Sequence, residues 1–169
     1  MLQSLSYVQA HSADRDVVGI AAKQDKELRR YLGRISAEYL DGLEVMLREA
    51  AWEVEDRYPV TVEVVCVRDS KRDNAIDDLV AATREALVNA ARHSHDSTIS
   101  VFAEVRLEAV SVFVKDDGVG FEPGDASGDH RGIERSIVGR MERHGGTARI
   151  TTAPGLGTEV ELTLPRVKS

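Results

Sequence analysis

The sequence has little of several features that would narrow its function. The single cysteine, Cys66, excludes an internal disulfide, fits a reducing compartment, and lies in the apolar run Val60–Val67, where a buried structural thiol is expected. No apolar run is long enough to cross a membrane, and no signal-peptide pattern opens the chain. Positive charge is not in excess either, because the net charge is −7, which argues against nucleic acid or an anionic membrane as a partner. We therefore expect a cytoplasmic segment that contacts neither.

The composition is that of an ordinary globular protein with periodic apolar segments. With 169 residues, 42% of them hydrophobic, the chain can form one domain, or one domain and an appendage. The spacing of the apolar residues predicts helices over 2–11, 17–32, 36–56, 75–93 and 133–144, and strands over 60–67, 99–105, 110–115, 147–152 and 158–164. The segment 121–131 is rich in glycine, aspartate and serine and is predicted to be a loop. Helices that precede and interrupt paired strands indicate an α+β fold with the helices on one face of the sheet.

Four polar or glycine-rich patches lie at boundaries between these segments. In chain order they are Glu85-x-x-x-Asn89-x-x-Arg92-His93, Asp116-x-Gly118-x-Gly120-Phe121, Gly132-Ile133 and Gly155-Leu156-Gly157-Thr158. Each patch alone would indicate little more than a turn or a polar helix face. Together they indicate a site for a nucleotide-like anion, because they combine amide and cationic groups on a helix, a carboxylate at a strand end, and glycines that allow backbone close to phosphate.

Three side chains carry most of this chemistry. Glu85 and Asn89 are four residues apart and so share one helix face, and an amide oxygen is a suitable ligand for Mg²⁺. Asp116 ends an apolar strand, where a carboxylate is costly to bury unless a donor such as an adenine amine pairs with it. The alternatives are a solvated Glu–Asn pair on the helix and a simple Asp-Asp-Gly turn after the strand.

The four patches resemble the N, G1, G2 and G3 boxes of the GHKL superfamily of ATP-binding domains. Over roughly residues 58–165 the chain looks most like the ATP-binding domain of bacterial two-component sensor histidine kinases. For residues 35–169 the resemblance implies a Bergerat-type two-layer α/β sandwich with a mixed, mainly antiparallel sheet. It also implies ATP and Mg²⁺ as cofactors, and transfer of the ATP γ-phosphoryl group to a histidine.

The resemblance also implies a role for each patch residue. Asn89 would be the metal ligand, and the catalytic role of Glu85 would be to orient or deprotonate a water in the metal shell. Arg92 and His93 would lie beside the phosphates, although the family more often has lysine at the position of Arg92. The remaining implied ATP contacts are Asp116 with Gly118 and Gly120 at the adenine, Gly132 and Ile133 at the start of a phosphate-binding helix, and Thr158 supporting Asp116. The loop from Glu122 to Arg131 would be a lid over the nucleotide. The family's commoner Gly-x-Gly at the third patch is replaced here by His130-Arg131-Gly132.

Residues 1–34 carry a second resemblance, to the dimerisation and phosphotransfer helices of kinases paired with helix-turn-helix response regulators. They would form a truncated helical hairpin, since the phospho-accepting histidine of that class lies just before Leu2-Gln3 and is absent here. Gln3 matches the glutamine that positions water for dephosphorylating the regulator. The implied partners are a response regulator and, in the intact kinase, a second copy forming a homodimer. The chain alone is not expected to autophosphorylate. A membrane anchor upstream in the parent protein is compatible with this interpretation.

Two other functions remain open at this point. One is a serine kinase of the anti-sigma-factor type on the same fold, which a phosphotransfer assay with serine targets would distinguish. The other is a non-catalytic module that binds ATP or dimerises without turnover.

Overall fold

The computed structural model describes residues 42–93, 98–122 and 128–166, with only the backbone of 128–134. All of these residues belong to the compact unit Asp41–Ser169. The two helices predicted before residue 33, the boundary at residues 34 and 35, and Gln3 lie outside the described residues. No helix in the described part of the chain has both the length and the apolar character needed to span a bilayer.

The described unit contains three helices and five strands. In chain order they are α1 (Leu43–Arg57), β1 (Thr61–Val67), α2 (Asn74–His93), β2 (Thr98–Val105), β3 (Ala109–Asp116), α3 (Gly128–Glu142), β4 (Thr147–Thr152) and β5 (Thr158–Pro165).

The five strands form one mixed sheet in the order β1-β2-β3-β5-β4. β1 pairs with β2 in parallel, and the other three pairs are antiparallel. The parallel pair is possible because α2 carries the chain from the end of β1 back to the start of β2, as parallel strands require. The predicted α+β fold with a mixed, mainly antiparallel sheet is therefore confirmed.

The core lies between the three helices and one face of the sheet. Successive residues of β2 and β3 face opposite sides of the sheet, so that Val101 and Val112 are buried while Ser100 is exposed. α2 presents Leu79 and Leu87 to this core, and α3 joins it through buried side chains later in the helix. The C-terminal end of α2 and the end of β3 are thereby held against each other, which positions the candidate site.

The start of α1 differs from the prediction of one helix over 36–56. Gly42 has an extended backbone, with φ −131° and ψ 169°, and forms a β-bridge with Lys71, so the helix begins only at Leu43. Its capping group comes from elsewhere in the chain: Oδ1 of Asp69 accepts the N–H of Glu44 at 3.1 Å. A carboxylate at this position satisfies an N–H that the helix itself cannot pair.

The start of α3 also differs from the prediction. The helix begins at Gly128, inside the segment predicted to be a loop, rather than at Gly132-Ile133. The backbone N–H groups that the helix itself cannot pair are those at its start, before Gly132. The prediction that Gly132-Ile133 opens the helix is therefore wrong, and their contact with ATP stays a prediction.

Candidate functional site

A pocket lies between the C-terminal half of α2 and the loop that follows β3. It encloses about 470 Å³, including space open to solvent at its mouth. Its lining residues are Asn89, Ala90, His93, Asp116, Val119, Gly120, Phe121 and Thr158. The structure thus brings together residues from the first, second and fourth patches, which are far apart in the sequence.

Asn89 contributes a buried acceptor to this pocket. Its Oδ1 is inaccessible to solvent and has no hydrogen-bond partner among the described residues. A buried acceptor left unpaired costs about 1–3 kcal/mol, so native structures seldom keep one without a reason. A hard cation, or a water held by one, is the kind of group that an amide oxygen would bind here.

Asp116 contributes the carboxylate at the end of β3. This residue is only 4% exposed, which is unusual for an aspartate. Oδ1 accepts the backbone N–H of Gly118 at 3.0 Å, in a tight turn that holds the carboxylate at the pocket wall. An ionised carboxylate has about four acceptor positions, enough to hold this N–H and a ligand amine at the same time.

Two glycines hold the loop after β3 against the hairpin between β4 and β5. Gly120 has φ +58° and Gly157 has φ +72°, a region that favours glycine. A Cβ on Gly120 would overlap the carbonyl oxygen of Ala153, and a Cβ on Gly157 would overlap that of Asp116. At these two positions the absence of a Cβ allows two segments of the protein's own backbone to approach closely, and the contacts of Gly118 and Gly120 with ATP stay a prediction.

Thr152 connects the same two segments and was not identified from the sequence. Its hydroxyl accepts the N–H of Phe121 at 3.1 Å and donates to the carbonyl of Gly157 at 3.0 Å. The hydroxyl of Thr158 lies 3.2 Å from it, and the two threonines are directly paired across the hairpin. That pairing is the signal that could have revealed Thr152. The predicted support of Asp116 by the Thr158 hydroxyl stays a prediction.

Glu85 is turned towards α3 and does not line the pocket. Its Oε2 accepts the hydroxyl hydrogen of Ser136 at 2.9 Å and lies 3.7 Å from Nη2 of Arg140. Ser136 and Arg140 were also not identified from the sequence, although they are four residues apart and so share one face of α3. The role of Glu85 in a metal shell stays a prediction.

Arg92 and His93 point in different directions. His93 lines the pocket, whereas Nε of Arg92 donates to the hydroxyl of Tyr58 at 3.0 Å, beyond the end of α1. Arg92 and His93 are three and four residues beyond Asn89, so both lie on its general side of the helix, and the hydrogen bond to Tyr58 is what turns Arg92 away from the pocket lining. A phosphate contact by Arg92 would require this side chain to leave Tyr58.

One family of proteins matches more than half of the chain. The model of the family described as "Histidine kinase-, DNA gyrase B-, and HSP90-like ATPase" matches residues 74–168, from the start of α2 to beyond β5. All the residues that line the pocket are within this match.

One curated relative is a sensor histidine kinase. The chain is 27% identical over 154 residues to the sensor histidine kinase LiaS of Bacillus subtilis (strain 168), a stretch that covers 89% of this chain and 42% of the relative. The chain therefore spans less than half the length of that relative.

Solved structures share the fold at low sequence identity. The histidine kinase domain from the Erythrobacter litoralis EL346 blue-light activated histidine kinase superposes with a TM-score of 0.63 at 18% identity, covering 97% of this chain and 91% of that one. The ATP binding domain of PrrB from Mycobacterium tuberculosis superposes with a TM-score of 0.57 at 21% identity, covering 76% of this chain and 100% of that one. At these identities the likeness establishes the fold.

Proposed function

Because the chain belongs to the Histidine kinase-, DNA gyrase B-, and HSP90-like ATPase family, we propose that it is the ATP-binding catalytic part of a sensor histidine kinase. In the intact enzyme this part presents ATP so that its γ-phosphoryl group can pass to a histidine, and from there to an aspartate of a response regulator. The proposal includes the homodimer of the intact kinase and a cytoplasmic location, both of which rest on the kind of protein it is similar to.

One observation carries the proposal: the pocket contains an unpaired buried amide oxygen and a buried carboxylate. Asn89 Oδ1 is suited to Mg²⁺, which needs few protein ligands because it keeps waters and binds phosphate oxygens. Asp116 is an acceptor suited to the exocyclic amine of adenine. A nucleotide with its metal is the common ligand that needs both groups at once.

Three pocket residues have a part in this proposal. Asp116, held by Gly118, would orient the adenine, while Asn89 would hold Mg²⁺ and His93 would lie near the phosphates. When bound, Mg²⁺ supplies positive charge against the phosphate oxygens, and catalysis of phosphoryl transfer is mainly positioning and charge stabilisation. The contribution of the protein is thus to orient the ligand and to exclude water from one side of it.

The test is calorimetric titration of ATP into the chain, with and without Mg²⁺. Asn89→Ala should reduce the gain in ATP affinity that Mg²⁺ provides by about tenfold or more. The fold should stay intact. Asn74→Ala is the matched control, because it removes the same amide from an exposed position at the other end of α2. Equal Mg·ATP affinity in the Asn89 variant and the unmodified chain would overturn the assignment.

A second assay tests the reaction class. The chain should transfer label from ATP to a separately supplied dimer of acceptor helices, and the product should be acid-labile, as phosphohistidine is. Label that survives acid and is lost in alkali, on a serine target, would instead indicate a serine kinase.

A further inference from the structure

The contact between α2 and α3 has a polar pair at each end of an apolar centre. At one end, Oδ2 of Asp78 lies 2.8 Å from Nε2 of His144 and 3.6 Å from Nη1 of Arg143. At the other end, Oε2 of Glu85 contacts Ser136 and Arg140. The two ends differ in what lies beside them, since only Glu85 is one helical turn from the proposed metal ligand Asn89.

Arg140 is an unusual side chain for its position. Its Nε is inaccessible to solvent and has no hydrogen-bond partner among the described residues, while Nη2 reaches Glu85 only at 3.7 Å. Arginine on a helix surface usually extends its guanidinium group into water. A buried donor that is left unpaired calls for an explanation beyond packing, and a long, partly exposed ion pair of this kind contributes little stability.

The contacts of Glu85 leave its two oxygens in different situations. Every described contact of this side chain is made by Oε2, so this oxygen is anchored to α3 while Oε1 has no contact among the described residues. Side chains four apart on a helix have Cβ atoms about 5–6 Å apart, a separation that one water can bridge. Oε1 is therefore the oxygen that can accept a hydrogen bond from a water in the shell of a metal held by Asn89.

We propose that Arg140 is a positioning residue for the Mg·ATP site. With Ser136 it anchors Oε2 of Glu85, so that Oε1 keeps one orientation beside Asn89 when the metal is bound. Arg140 acts through Glu85 and does not itself touch the nucleotide. This inference rests on the proposed function, because it requires Mg·ATP to bind in the pocket.

The experiment measures ATP affinity with and without Mg²⁺ in several variants of the chain. Arg140→Gln should reduce the gain in affinity that Mg²⁺ provides by about tenfold, the lower end of the loss seen when a partner of a metal-site group is removed. Its affinity for ATP without metal should stay within about twofold, and Arg140→Lys should restore part of the metal-dependent gain because it keeps the charge. Ser136→Ala removes only the 2.9 Å hydrogen bond from the Ser136 hydroxyl to Glu85 Oε2, and it should also reduce the gain in affinity that Mg²⁺ provides.

Arg143→Gln is the matched control. It removes an arginine that lies directly after α3 and makes a similar contact with a carboxylate of α2, at 3.6 Å, but at the end away from Asn89. Its metal-dependent affinity should equal that of the unmodified chain. The double variant of Glu85→Gln with Arg140→Gln should lose no more than Glu85→Gln alone, since both changes remove one interaction.

Three outcomes would overturn this inference alone, and a fourth would overturn the proposed function on which it rests. Equal loss of affinity with and without Mg²⁺ in Arg140→Gln would show that Arg140 only holds the helices together. Full additivity in the double variant would show that it does not act through Glu85. No metal-dependent binding by the unmodified chain would overturn the proposed function itself, whereas normal binding with no effect of Arg140→Gln would overturn this inference alone.

Discussion

Replacing Gly157 by alanine tests how closely two backbone segments meet at the pocket. At this residue, φ is +72° and an added Cβ would overlap the carbonyl oxygen of Asp116 and lie 2.9 Å from Cα of Asp117. Both neighbours are backbone atoms near the end of β3, so neither can move aside as a flexible side chain would. Gly155 is the natural control, because its φ of +76° is nearly the same but nothing lies within 4 Å of its added Cβ.

The two substitutions separate two energetic costs. A left-handed backbone at a residue with a Cβ costs about 1–2 kcal/mol, and this applies to both positions. Forcing an extra carbon into a packed region typically costs about 1–3 kcal/mol more, and this applies only to Gly157. We therefore expect Gly155→Ala to lower the free energy of unfolding by about 1–2 kcal/mol and Gly157→Ala by about 2–5 kcal/mol.

Equilibrium unfolding in urea, followed by the fluorescence of the single tryptophan, Trp52, would measure both changes. Gly157→Ala should also weaken ATP binding, because the clash displaces Asp116, whereas Gly155→Ala should leave it unchanged. If the two variants lose the same stability and bind ATP equally, the hairpin adjusts freely and the close contact at Asp116 does not limit the site.

Three other predictions concern single side chains. Thr152→Val removes a hydroxyl with three described contacts, so it should lower the free energy of unfolding by about 1–3 kcal/mol and weaken ATP binding. Thr151→Val, on the exposed face of β4, is the control in the same assays. Gly139→Ala should raise the free energy of unfolding by about 0.5–1 kcal/mol in urea denaturation, because this glycine is inside α3 and an added Cβ meets nothing within 4 Å. Burial, with a smaller contribution from the charges of Glu44 and Asp69, raises the pKa of Cys66 from 9.0 to about 11. Iodoacetamide at pH 8 should therefore alkylate the folded chain about ten- to a hundredfold more slowly than the chain in urea. The free energy of unfolding should also fall as the pH rises from about 9 towards about 11, because in this range the thiol loses its proton only in the unfolded chain.

The parts of the fold that were predicted are those with a strong local pattern. The five strands follow from alternation, and α2 follows from its apolar face, because both periods are set by neighbouring residues. The starts of α1 and α3 were not predicted correctly, for different reasons. The cap of α1 comes from Asp69, 25 residues beyond Glu44, and the first turn of α3 has a glycine- and aspartate-rich composition more common in loops.

The residues of the candidate site were also predicted only in part. The motif residues Asn89, His93 and Asp116 do meet in one pocket, because their spacing along the chain specified which helix face and which strand end each one occupies. Arg92 was predicted beside the phosphates because it lies one turn beyond Asn89, but its side chain donates to Tyr58 and does not line the pocket, and its contact with phosphate stays a prediction. Arg140 could not be identified, because its contact depends on how far α3 is shifted along α2, and no local pattern in either helix specifies that register.

The parallel pairing of β1 with β2 has a consequence for the kinetics of folding. The β2–β3 and β4–β5 pairs are hairpins closed by the short segments 106–108 and 153–157, whereas β1 can pair with β2 only after the whole of α2 has folded back across the sheet. Contacts between residues far apart in sequence require closure of a longer loop and form more slowly. The pairing of β3 with β5 spans a still greater separation in sequence and joins the two hairpins, so we expect both of these pairings to follow the hairpins. A chain in which only the two hairpins have formed therefore has no nucleotide pocket, because α2, with Asn89 and His93, does not yet lie against the end of β3.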